Sequence, residues 1–62
     1  MKKYYIIVLV GHTHWEEVVE ANYFNSTTNS SASAGFYSFY VGSELIACYP
    51  IDRTIISKIE SV

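Results

Sequence analysis

The sequence predicts a mainly β fold: a small antiparallel meander of about five strands in one domain spanning residues 1–62. Two stretches carry this. Tyr4–Val10 is a short β-branched and aromatic run that ends at Gly11, the composition of a strand closed by a turn residue. Gly35–Ile51 reads as a hairpin, with an aromatic run, a Gly-Ser-Glu turn at Gly42–Glu44, and a second apolar run. That hairpin holds half of the aromatic residues of the chain, Phe36, Tyr37, Phe39, Tyr40 and Tyr49. The alternative is an α+β chain, β-α-β-β, with residues 13–23 helical.

Taken in order, Tyr4–Val10 does not alternate, so both faces are expected to be covered, as a central strand or with one face buried in a partner subunit. His12–Phe24 admits two readings. As a helix, Thr13 caps it with Glu16 at capping-box spacing, and Trp15, Val18, Val19, Asn22 and Tyr23 share a side. As a strand, Val19, Ala21 and Tyr23 form the apolar face. Residues 25–34, rich in Asn, Ser and Thr, read as a flexible polar loop. Its two Asn-x-Ser/Thr triplets, at Asn25 and Asn29, are expected by chance in such a run.

In the hairpin, alternation places Tyr37, Phe39, Leu45 and Tyr49 on the core face. Phe36, Tyr40, Ile46 and Cys48 then point the other way. Pro50 marks a strand end or edge, because it has no N–H for a ladder. Residues 54–60 again admit two readings: a helix capped by Asp52, or a strand in which Ile55, Ser57 and Ile59 alternate.

Composition bounds the function. A chain of 62 residues, half of them hydrophobic, buries only about 60% of its unfolded surface, so it needs reinforcement. One cysteine cannot close an internal disulfide. Oligomerisation is the expected aid, as a homodimer or larger assembly. Four basic against six acidic residues speak against a phosphate-binding surface. Single-stranded nucleic-acid binding on an aromatic face is retained as a further alternative. The lone cysteine fits a reducing compartment, and no apolar run approaches the roughly 20 residues of a membrane span. A cytoplasmic, membrane-free protein is expected.

No catalytic residue or cofactor is expected. Ile7–His14 ends in Gly-His-Thr-His and resembles the last metal-binding motif of the calcineurin-like metallophosphoesterases. The Asp-x-His and Gly-Asn-His-Asp motifs of that family have no counterpart here, and two-metal hydrolysis needs more ligands than this chain can group. His12 and His14 are the candidate ligands of a single metal in the alternative reading, with Glu16 or Glu17 beside them. Solvated loop histidines are the preferred reading. Cys48 with a histidine would make a nucleophile–base pair, but a small buried hydrophobe is the preferred role for a cysteine in an apolar strand. The expected protein interface comprises Trp15, the acidic Glu16, Glu17 and Glu20, and the hairpin residues Phe36, Tyr40, Ile46 and Cys48.

Val18–Phe24, Gly35–Tyr40 and Gly42–Ser57 together resemble a pattern in small phage and prophage proteins that form all-β meanders. The resemblance covers most of residues 17–60 and implies strands at 17–24 and 54–60. It also implies a mobile-element setting, in which proteins of this size bind and block a host protein, including a defence protein.

Overall fold

A computed structural model describes residues 1–28 and 35–61, and among them there is no α-helix. Six strands form: β1 (Lys2–Val10), β2 (Thr13–Ala21), β3 (Tyr23–Thr28), β4 (Gly35–Val41), β5 (Glu44–Pro50) and β6 (Thr54–Ser61). A single 3-10 turn, Ile51–Arg53, joins the last two. They build two antiparallel three-stranded sheets, β2-β1-β6 and β3-β4-β5. The mainly β expectation therefore holds, and the helical alternative for residues 13–23 is not what forms. Thr13 opens a strand instead of capping a helix: β2 pairs with β1 over its whole length and buries Val19 and Ala21 in the core between the sheets, a stabilisation that a short isolated helix lacks.

The β1–β2 and β4–β5 connections are two-residue loops, Gly11-His12 and Gly42-Ser43. Both glycines sit at positive φ, 59° and 62°, where an L side chain is strained. β2 and β3 are one run bent at Asn22, which passes the chain from one sheet to the other. The corner is held by two bonds: Asn22 N–H donates to the Tyr40 carbonyl at 2.8 Å, and Gly42 N–H donates to the Asn22 side-chain oxygen at 2.7 Å. The sixth strand, beyond the five expected, arises from this break.

The core lies between the sheets. Tyr4, Ile6 and Val8 alternate inward from β1, with Val19 and Ala21 from β2 and Phe39 from β4. Phe24, Tyr37, Ala47, Tyr49 and Ile56 pack around them. Tyr4 meets Phe39 and Phe24 edge-on, at centroid separations of 5.1 and 5.5 Å, a favoured aromatic geometry. As expected, β1 is the centre of its sheet. Its outer residues Tyr5 and Ile7 are half-buried, so the strand does alternate in burial.

Four local expectations are corrected. The bend at Asn22 reverses the side-chain alternation, so Phe24 enters the core and Tyr23 is 43% exposed. A register shift after Phe39 pairs Tyr40 with Leu45 and leaves Ile46 as the extra residue. That bulge moves Leu45 out of the expected core, to 53% exposure. A second shift between Tyr5 and Ile6 inserts Ser57, so Ile55 stands opposite Ile7 and Ile59 opposite the buried Tyr4, on different faces. Finally, β3 continues through Thr28, in register with Gly35–Tyr40. Residues 25–28 of the polar loop expected at 25–34 are therefore strand, because pairing with β4 outweighs local polarity. Residues 29–34 lie outside the described residues.

Candidate functional site

Two surfaces and one side-chain cluster need explaining. The first surface is the outer face of β3-β4-β5. Tyr23 stacks on Tyr40 from the opposite position of the neighbouring strand, with centroids 5.1 Å apart and planes at 14°. Phe36, Leu45, Ile46 and Cys48 are exposed around this pair. Ser38 stands opposite Cys48, with Oγ and Sγ 3.9 Å apart. By the strand register, the described residues of this face are Tyr23, Asn25, Thr27, Phe36, Ser38, Tyr40, Leu45, Ile46, Cys48 and Pro50, none of them charged. The expected hairpin residues Phe36, Tyr40, Ile46 and Cys48 thus fall on one face. Tyr23 and Leu45 join them unforeseen. Their signals are the bend and the bulge, neither of which has a strong sequence mark beyond Asn22 itself.

The second surface is the outer face of β2-β1-β6, which is charged and internally partnered. Tyr5 Oη donates to Glu60 Oε1 at 2.6 Å, and Lys58 Nζ lies 3.1 Å from Glu60 Oε2. The same ammonium sits 5.5 Å from the Tyr5 ring centroid. The hydrogen bond from Tyr5, then the one from Lys58, holds the Glu60 carboxyl below its usual range. The bond to Glu60 raises the Tyr5 phenol and the Lys58 ammonium in turn. Lys3 stands opposite Glu20 on one side and Glu60 on the other. A shallow depression of about 100 Å³ opens among Tyr5, Ile7, Glu16, Val18 and Ser57. It is small against the roughly 300–1,000 Å³ of ordinary small-molecule sites.

The cluster lies on the inner side of β2. Trp15 Nε1 donates to Glu17 Oε2 at 2.7 Å, and Tyr49 Oη donates to Glu17 Oε1 at 2.6 Å. Glu17 thereby ties the edge of one sheet to β5 of the other. Burial first, and then the bond to Glu17, pushes the Tyr49 phenol up to about 12.

The expected acidic group is split by this arrangement. Strand alternation puts Glu16 and Glu20 on the charged outer face, while Glu17 points inward with Trp15. Trp15 remains 48% exposed. His12 is in the β1–β2 turn and His14 on β2, while Cys48 is on β5 of the other sheet with Ser38 beside it. Cys48 is exposed, so the buried-hydrophobe role does not apply. Among the described residues, no three His, Cys, Asp or Glu side chains gather closely enough to hold a metal ion. None of the described residues forms a helix long and apolar enough to cross a membrane.

Fold and surfaces together define a small two-sheet β protein with one charged and one uncharged outer face. Comparison with known protein families, curated proteins and solved structures gives no match for this chain.

Proposed function

We propose that this chain is a non-catalytic, homo-oligomeric protein-binding module whose target site is the uncharged outer face of β3-β4-β5. The observation that carries the reading is the Tyr23–Tyr40 stack with Phe36, Leu45 and Ile46 exposed beside it. A sheet face of this kind forms the dry centre of an interface, where aromatic residues are enriched and charges depleted. The resemblance to small phage proteins makes the target a host protein that is inhibited, with the host cytoplasm as the place of action. Trp15 lies outside this face and belongs to the Glu17 cluster.

Nucleic acid fits the face poorly, since no cation stands among its described residues to meet phosphates. Metal binding through His12 and His14 gains no further ligand from the fold among the described residues.

The test is cross-linking capture from bacterial lysate with the wild-type chain, Phe36→Ser, Tyr40→Ser and Trp15→Ala. The two face variants are expected to lose the captured partner while keeping the β-sheet circular dichroism spectrum, and Trp15→Ala to keep it. Retention of every partner by Phe36→Ser and Tyr40→Ser would refute the assignment.

A further inference from the structure

The homo-oligomeric part of the proposed function leaves open which surface joins the copies. We propose that two copies join through the free edge of β6, paired antiparallel about a two-fold axis at Ile59. This inference rests on the homo-oligomeric reading above and leaves the uncharged face of β3-β4-β5 open for the target.

β6 pairs with β1 on one side only, so its other backbone edge is unpaired among the described residues. It is eight residues long and contains no proline, and such an edge is a template for another strand. Its side chains make the choice of partner. Lys58 and Glu60 are two residues apart, so both project from the outer face, where they pair with each other within one copy at 3.1 Å yet stay 62% and 40% exposed and so within reach of a second partner. Ile59 between them lies on the inner face opposite Tyr4 and is 50% exposed.

In a two-fold antiparallel pairing centred on Ile59, each Lys58 stands directly opposite the partner's Glu60. Ile59 then meets the partner's Ile59 on the inner side, where each removes the other from water. The interface is self-complementary, as two-fold symmetry requires. The neighbouring registers that keep the same faces aligned centre on Lys58 or on Glu60. They oppose lysine to lysine, or glutamate to glutamate, which is unfavourable. The charge pattern therefore selects one register.

The row already present within one copy supports this. Along the outer face it runs Glu20 on β2, Lys3 on β1 and Glu60 on β6. The next position across the proposed edge is the partner's Lys58, so the alternation of sign continues into the second copy. A heterologous strand without this pattern would interrupt it.

Sedimentation equilibrium tests the proposal through charge exchange. The wild-type chain is expected at twice its 7.0 kDa mass. Lys58→Glu opposes glutamate to glutamate at both positions, and Glu60→Lys opposes lysine to lysine. Each is expected to raise the dimer dissociation constant at least tenfold. An equimolar mixture of the two single variants restores opposite charges at every position and is expected to restore the dimer, as is the double variant K58E/E60K. If the mixture stays monomeric while each variant is folded, the proposal is overturned.

A wild-type chain that is monomeric at all concentrations overturns both this edge and the homo-oligomeric reading. A wild-type dimer indifferent to all four charge arrangements overturns this edge alone and leaves that reading standing. Loss of such a dimer on Phe36→Ser would move its contact to the uncharged face. Should a variant fail to fold, amide exchange of the wild-type chain decides. Protection along Lys58–Glu60 that rises with protein concentration supports the pairing, and protection independent of concentration overturns it.

Discussion

The two outer faces of this molecule are built from equal numbers of strands and differ in how their side chains are satisfied. On β2-β1-β6, Glu60 accepts from Tyr5 and pairs with Lys58, and Lys3 sits between two glutamates. On β3-β4-β5, Tyr23 and Tyr40 stack on each other beside exposed Phe36, Leu45 and Ile46, and no charged residue stands among the described residues of that face. The contrast teaches that exposure alone does not mark a binding face. Tyr5 and Tyr40 are both outward tyrosines, yet the phenol of the first already has a carboxylate partner.

The sharpest test of this comparison sets Phe39 against Phe36, two residues of the same type on one strand. Phe39 is fully buried, so Phe39→Ala should cost about 3–5 kcal/mol. A core this small supplies no more than about 3–5 kcal/mol in all, so the variant should be largely unfolded in urea-free buffer by circular dichroism. Phe36 is 47% exposed, and Phe36→Ala should shift stability by only about 0.5 kcal/mol. Comparable losses for both would mean that the outer aromatic face is structural.

Gly42→Ala should cost about 1–2 kcal/mol, because φ is +62° there although nothing obstructs a Cβ. Urea midpoints would show it, and an unchanged midpoint would mean that the β4–β5 turn relaxes. That result would also weaken the corner, since Gly42 N–H is bonded to Asn22.

A smaller change of opposite sign is expected at Thr54. It is buried, and its hydroxyl oxygen has no hydrogen-bond partner among the described residues. Thr54→Val removes that group at constant shape and should stabilise by about 1 kcal/mol, read as a raised melting temperature. A lowered melting temperature would show that the hydroxyl is satisfied after all.

A pH-dependent effect separates the Glu17 cluster from the charged face. The Tyr49 phenol is raised from about 10 to about 12 in the fold. Between those values the folded state holds more protons than the unfolded state, so stability falls as pH rises through that window. The contribution is fully present below pH 10. Tyr49→Phe should flatten this part of the stability–pH curve, and Glu17→Gln should move the phenol back toward its ordinary value in a 295 nm titration. Equal slopes in wild type and Tyr49→Phe would assign the alkaline loss elsewhere, for instance to Tyr5 and Lys58, both of which are also raised.

Much of this was legible in the residues. Tyr4–Val10 could only be a strand of this composition, Gly11 and Gly42 stand where the chain reverses, and Pro50 ends β5. Phe36, Tyr40 and Cys48 of the hairpin set share a face, because period-two alternation survives wherever the ladder is regular, and Ile46 is exposed beside them at the bulge. The places that escaped are where the ladder breaks. One residue gained at Ile46 or Ser57, or one bend at Asn22, puts the side chains on its two sides out of step, so those on one side fall on the opposite face from the one alternation predicts. These breaks relocated Leu45, Tyr23, Phe24 and Ile59.

By itself, then, the sequence determined a mainly β chain with strands at Tyr4–Val10 and in the Gly35–Ile51 hairpin and turns at Gly11 and Gly42, and it left residues 13–23 and 54–60 open between helix and strand. Those properties follow from local composition and alternation, which need no distant partner. Only the tertiary structure decided that the chain forms two sheets around a corner at Asn22. It also decided that Glu17 leaves the acidic group for Tyr49, and that Lys58 and Glu60 share one face on a strand whose outer edge is unpaired among the described residues. Bulges and bends are chosen by how well two faces pack against each other, and that competition is not written in any single stretch of residues.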